Sequence, residues 1–278
     1  MNKFIGVEYA RGATAKIVND GPALAPAAVR EMFPNAHWTI ITPDAVPDDV
    51  CMADRFGENL MIQRRVYDAT PGARHILIGG DHSLNFGHFS AIADSMPDED
   101  LCLVYVDAHL DIHTPESSRA QASGAPHGTN VRHNLGAGDA RWLAMPKRVP
   151  ALRPENVFYL ATRAFEAAEI EFVRDNNIFM RTPDEIRTDA ALDDAIAEIR
   201  RRIDGRPFVL SFDFDAIDPQ YFKDVLVPEP GGISMYTARR LVREFSDAIS
   251  IEFVEYAPRG DMASAQAVET LVRIAMGV

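Results

Sequence analysis

The chain has 278 residues, 47% of them hydrophobic, and a formal net charge of −13. Its short basic clusters, RR at 64–65 and IRRRI at 199–203, sit among acids, which argues against nucleic-acid binding. No apolar run approaches the roughly 18 residues of a membrane span. The opening MNKFIGVEYARG lacks the apolar core of a signal peptide, so a cytoplasmic location is expected.

In chain order, HILIGG (75–80) reads as a strand and LNFGHFSAIADS (84–95) as a helix. LCLVYVD (101–107) reads as a strand, NVFYLATR (156–163) as another, and AFEAAEIEFVRDN as the helix after it. ALDDAIAEIRRRI (191–203) is a predicted helix and PFVLSFDFD (207–215) a predicted strand. SMYTARRLVREFS (234–246) is a helix, SIEFVEYAP (250–258) a strand, and ASAQAVETLVRIAMG a final helix. Alternating strands and helices signal βαβ units and a mostly parallel sheet. LCLVYV and FVLSF are apolar on both faces, as strands covered by helices on both sides should be. The segment Thr114–Arg148 is irregular and rich in Gly, Ser, Ala and Pro, the composition of a functional loop. No linker divides the chain, so one domain over residues 1–278 is expected. Cys51 and Cys102 form no CxxC, and Cys102 reads as a small core residue.

Ligands collect at the carboxyl ends of strands in parallel sheets. HILIGG ends in Asp81-His82, LCLVYV in Asp107-Ala-His109-Leu-Asp111, and PFVLSF in Asp213-Phe-Asp215, then Asp218-Pro219. Each has a plain alternative: Asp81 can cap the next helix, Asp213 and Asp215 can form turns, and Asp218 before proline suits a turn. If the strand continued, Asp107, His109 and Asp111 would share one face. Such a set repels itself and costs desolvation unless a cation sits within it. His82, Asp107, His109, Asp111, Asp213 and Asp215 supply two imidazoles and four carboxylates, whose charge balances two divalent cations. Without thiolates, the set suits Mn²⁺ and similar first-row ions. Two ions about 3.5–4 Å apart lower the pKa of a shared water, a hydrolase arrangement.

GGDHS (79–83), DAHLDIHTPESS (107–118) and SFDFDAIDP (211–219) resemble, in order and spacing, the signature motifs of the ureohydrolase family of arginases, agmatinases and relatives. The resemblance implies a three-layer α/β/α fold around a mainly parallel sheet. It implies two divalent metal ions, Mn²⁺ by family, although Ni²⁺ or Co²⁺ would accept these ligands. It implies hydrolysis of a cationic guanidino compound to urea and an amine, and assembly as a homotrimer or homohexamer. Its six ligands fall on the six residues counted above, with Asp111 also expected to be essential for catalysis. SGAPHG (123–128) resembles the family loop whose histidine passes protons to the leaving amine, which implicates His127; Ser123 in that loop is an expected substrate contact. FVEYAP (253–258) resembles the strand end whose glutamate binds the guanidinium, which implicates Glu255. Glu252 and Glu255 could each equally be local salt-bridge partners. His37, His75, His88 and His133 read as loop histidines.

The departures from arginases cluster at the far end of the substrate. Ala125 stands where arginases carry Asn, His113 takes a second Asn position, and Glu166 replaces a shorter acid. KDVLVPEPGGIS is bulkier than the family's small Thr/Gly loop at Val225, Leu226 and Val227. A ureohydrolase that is not a strict arginase is therefore expected, because lost buried polar contacts redirect specificity steeply. Two alternatives stay open: hydrolysis of a formimidoyl group such as that of formimidoylglutamate, releasing formamide, and a non-catalytic homologue with a regulatory role.

Overall fold

The computed structural model describes residues 3–13, 21–44, 54–117 and 124–278. Its strands are β1 (Lys3–Val7), β2 (His37–Ile41), β3 (His75–Ile78), β4 (Cys102–Val106), β5 (Val157–Leu160), β6 (Phe179–Arg181), β7 (Phe208–Asp213) and β8 (Ser250–Val254). They join one sheet in the order β2-β1-β3-β8-β7-β4-β5-β6, and every pairing is parallel. The helices are α1 (Ala25–Met32), α2 (Arg55–Ala69), α3 (Asn85–Ser95), α4 (Asn130–Asn134), α5 (Ala140–Leu143), α6 (Ala167–Asp175), α7 (Asp189–Ile203), α8 (Met235–Glu244) and α9 (Met262–Met276).

The central strands are apolar on both faces because both faces are covered. Leu103, Tyr105 and Val209 pack with Phe89 and Ile92 of α3, Val131 of α4 and Val173 of α6. The alternate residues Val104, Val106, Leu210 and Phe212 pack with Ile199 of α7, Leu241 of α8 and Leu271 of α9. The result is the expected three-layer α/β/α architecture. Each fully buried Leu or Phe in these layers contributes about 1.5–3 kcal/mol through area removed from water. Cys102 is buried in this core, as expected. Helix starts follow local chemistry: Thr188, Ser234 and Asp261 accept from backbone N–H groups of the first turns of α7, α8 and α9.

Several elements went unread in the sequence: β1, α1, β2 and α2 before residue 70, β6, and the short helices α4 and α5 inside the irregular segment. The strand expected to run through Asp107 stops at Val106. The chain then leaves the sheet, and Asp111 takes a left-handed φ of 49°. Alternation along an extended strand is therefore not what gathers Asp107, His109 and Asp111. The loop assignment of four histidines is also corrected: His37 begins β2 and His133 lies in α4, while His75 begins β3 and His88 lies in α3, inside the strand and helix read there from the sequence. The last three are buried, each with a hydrogen-bond partner for its ring. Cys51 and Ser123 lie outside the described residues.

Candidate metal centre and substrate pocket

The strand order places β3, β8, β7 and β4 side by side, and all four carboxyl ends open on one rim. His82 follows β3, Asp107 follows β4, Asp213 ends β7, and Glu255 follows β8. The backbone must pass closely here. A Cβ on Gly80 would lie 1.4 Å from the carbonyl oxygen of Tyr9, so only glycine fits before the Asp81-His82 turn. The capping role of Asp81 holds: its carboxylate accepts from the N–H of Ser83 at 2.9 Å and of Gly12 at 2.7 Å. Asp218 fills its turn role, accepting from the N–H groups of Gln220, Gly231 and Gly232.

Two triads converge on Asp107. His82, Asp107 and Asp111 bring one ligand atom each within 4.8 Å of one another, and so do Asp107, His109 and Asp215. Asp213 joins the first group, with its Oδ2 3.1 Å from His82 Nδ1. Asp107 Oδ2 lies 2.8 Å from His82 Nδ1, yet it is buried without a hydrogen-bond partner among the described residues. Ligand atoms that crowd together without bonding one another are arranged around a shared centre. An orphaned buried carboxylate oxygen is costly unless a cation completes it. These donors, all carboxylate oxygen or imidazole nitrogen, would fit two hard or borderline divalent cations, and Asp107 is common to both groups. All six sequence-predicted ligands thus meet at one place.

The electrostatics agree. Burial, reinforced by the charge of Asp107, pushes Asp111 up to about 7. Burial and the charges of Asp215 and Asp107 raise Asp213 well above the usual carboxylate range, and burial with Asp107 raises Asp215. Burial opposes protonation of His82, but Asp107, Asp213 and Glu252 outweigh it and raise the imidazole well above its ordinary value. Without cations, the cluster can hold its shape only by keeping protons that ligation would displace.

A cavity of about 490 Å³ opens over this cluster. Its lining includes the predicted contacts His113, His127, Glu166 and Glu255. Glu255 sits at a left-handed φ of 64°, and its Oε1 accepts from the backbone N–H of His82 at 2.9 Å. His127 Nδ1 lies 3.9 Å from that same oxygen. Burial opposes the charge on His127, but Glu255 and Asp111 raise its pKa above the ordinary imidazole value. His113 is buried, with Nδ1 2.8 Å from Ser117 Oγ. Its Nε2 lacks a hydrogen-bond partner among the described residues, although Glu169 and Glu166 oxygens lie 3.4 and 3.7 Å away. Ala125 is buried and does not line the cavity, whereas Val227 of the bulky loop does.

Sequence reading missed several residues that hold this arrangement. Tyr105 stacks on His82 with ring centroids 4.5 Å apart and donates to Asp111 Oδ2 at 2.8 Å. Asn130 donates to the same oxygen at 3.1 Å. Arg163 ties the pocket rim together by donating to the carbonyls of Asp215 and Glu229. Glu169 and Glu229 add carboxylates to the lining. A period-two reading could have found Tyr105, which precedes Asp107 by two. Arg163, Glu169 and Glu229 carry no local signal. Glu252 does not reach the cavity lining and proves to be a buried local partner, accepting from Asn85, His88 and Ser211.

Comparison with known proteins bears on this site. A model of the arginase family matches residues 4–278. The arginase of Bacillus caldovelox is 28% identical over 277 residues, covering 91% of this chain and 90% of that protein. The crystal structure of arginase from Bacillus subtilis subsp. subtilis str. 168 superposes with a TM-score of 0.84 at 22% identity, covering 100% of this chain and 99% of that one. Formimidoylglutamase from the same strain superposes with a TM-score of 0.76 at 19% identity, covering 100% and 87%. No helix among the described residues is long and apolar enough to cross a membrane.

Proposed function

We infer function from one premise: the chain belongs to the arginase family, hydrolases that act on C–N bonds of guanidino compounds at a binuclear divalent metal centre. We propose that it releases urea from a guanidino compound whose far end is cationic or neutral, not the carboxylate-bearing head of L-arginine. The observation that carries this reading is the lining of the cavity. Glu166, Glu169 and Glu229 stand beyond the metal cluster beside Phe165 and Val227, and no described lining residue is Lys or Arg. A carboxylate there would meet like charge, whereas an ammonium would be attracted. The net charge of −13 adds a long-range pull on cations.

The proposed mechanism uses the geometry directly. Glu255, pinned by the His82 N–H, accepts the planar guanidinium through paired N–H donors. His82, Asp107 and Asp111 with Asp213, and Asp107, His109 and Asp215, would hold the two cations. Bound there, divalent cations supply Lewis acidity and a water of lowered pKa; Mn²⁺ is the proposed identity. Against burial, Glu255 and Asp111 raise the His127 pKa above the ordinary imidazole value, and His127 delivers its proton to the departing amine. The expected assembly, a homotrimer or homohexamer, rests on the family resemblance alone.

With Mn²⁺ supplied, urea release from a guanidinoalkylamine such as agmatine should exceed that from L-arginine by about a hundredfold in kcat/KM. A preference for L-arginine would overturn the proposal, and formamide release from a formimidoyl amino acid would replace it with the formimidoyl reading. His127→Asn should lower kcat by roughly a hundredfold or more while elemental analysis finds the metal content unchanged. Loss of metal in that variant would assign His127 to the metal cluster instead.

A further inference from the structure

A second buried polar chain runs from the metal cluster into the layer between the sheet and α3. His82 turns Nδ1 toward Asp107 and Asp213. Its Nε2 faces Ser211 Oγ at 2.7 Å, and Ser211 Oγ donates to Glu252 Oε1 at 2.6 Å. The register of β7 with β8 sets Ser211 directly opposite Glu252. Asn85 donates to that same Oε1 at 2.8 Å, so the other oxygen, Oε2, is left to face His88 Nδ1 at 2.6 Å. His88 Nε2 lies 2.8 Å from His75 Nε2, and His75 Nδ1 lies 2.8 Å from the Ala73 carbonyl oxygen. His88, Glu252 and Ser211 are fully buried, and His75 nearly so.

Donor and acceptor rules decide where the protons sit. The Ala73 carbonyl can only accept, so His75 carries its proton on Nδ1. Burial, with His88 beside it, lowers the pKa of His75 to about 3, which leaves this ring neutral and its Nε2 a bare acceptor. His88 must therefore donate from Nε2. Ser250 Oγ, 3.0 Å from the same nitrogen, donates to the His75 carbonyl and can accept as well. One proton then remains on the line between His88 Nδ1 and Glu252 Oε2. Glu252 already accepts from Asn85 and Ser211, and against burial His82 and His88 hold it below the usual carboxylate range, so it is the carboxylate and that proton belongs to His88.

We propose that His88 is a buried imidazolium that positions the ligand His82. Paired with His88, Glu252 stays a carboxylate and takes the hydroxyl proton of Ser211. Ser211 Oγ then accepts the Nε2 proton of His82. This selects the tautomer that leaves the Nδ1 lone pair pointing into the cluster, and the carboxylate behind it makes that nitrogen a better donor to a cation. His88 touches neither cluster nor cavity, so it is a positioning residue. The inference rests on His82 being a metal ligand, but its first test needs neither metal nor turnover.

In metal-free protein at pH 7.5, two-bond ¹H–¹⁵N spectra should show both ring nitrogens of His88 protonated, His75 as a single neutral tautomer carrying its proton on Nδ1, and a proton held on His82 Nε2. Glu252→Gln should remove one His88 proton. His88→Gln should weaken Mn²⁺ binding, measured by chelator competition, by about 10–100-fold. If His88→Gln fails to fold, the wild-type spectrum and Glu252→Gln still decide the matter. A neutral His88 in the wild-type spectrum, or Mn²⁺ affinity within about twofold of wild type in a folded His88→Gln, overturns the proposal.

Discussion

Asp107→Ala is expected to lower kcat by more than about a thousandfold, the largest loss of any single substitution outside the nucleus of the fold. The reason is geometric. Asp107 belongs to both ligand triads, so its removal opens both positions at once. Asp111→Ala or Asp215→Ala strips a ligand from one triad and leaves the other whole. Elemental analysis after dialysis should therefore find Asp107→Ala holding less metal than either of those variants. The carboxylate is also braced from its far side, where Oδ1 accepts from the His109 N–H at 2.6 Å, so its loss loosens a second ligand. Circular dichroism should stay that of wild type, because β4 ends before Asp107 and the core beneath is apolar. Equal metal content in Asp107→Ala and Asp215→Ala would show that Asp107 does not serve both ligand groups.

The second large effect is on stability. Metal-free protein should become less stable as pH rises from about 5 to about 8, and metal should reverse the trend. Asp111 is pushed up to about 7 by burial and Asp107, and Asp213 and Asp215 are raised as well. An unfolded aspartate titrates near about 4. Between those limits the folded state holds protons that the unfolded chain has released, so stability falls as pH climbs. His82 and His109 act in the same sense: their stabilisation is complete below about 6.5 and fades as pH rises through their higher folded values. Burial opposes the charge on Asp107, but His109 and His82 lower its pKa, so its contribution is lost only in acid, outside this window. Cations replace the held protons and bind more tightly as those protons leave. At a free concentration a thousand times its dissociation constant each cation adds about 4 kcal/mol, which for a chain of this size is about 10 °C in melting temperature per cation. Calorimetry at pH 6 and pH 8, with Mn²⁺ or with chelator, checks both signs. A metal-free protein that melts higher at pH 8 than at pH 6 would defeat this account.

How much of this could be read beforehand follows from what is local. The six ligands were legible because each strand end carries its polar residues within a few positions of an apolar run, and charge counting alone selects them. The gathering itself was misread: Asp107, His109 and Asp111 meet because the chain leaves the strand at Val106 and reverses through Asp111, not because they alternate along it. Strands β1 and β2 were missed because five residues beside a sheet edge give little periodic signal; in β2 only Ile41 is buried. The buried line from His82 to His75 was invisible for another reason. Its members come from β3, α3, β7 and β8, and only the register that sets Ser211 opposite Glu252 brings them together. Helical periodicity placed His88 on a helix, but nothing local says that the face it occupies looks onto a carboxylate.

Two residues of the site, Asp111 and Glu255, hold left-handed backbone angles that side chains with a Cβ disfavour. Each carries a conformational cost of about 1–3 kcal/mol that the surrounding sheet must over-determine. Glycine would relieve that cost at either position and remove the carboxylate that makes the position useful. A search for variants that merely survive heat would therefore drift toward inert proteins. Selection on stability and selection on turnover pull these two sites in opposite directions.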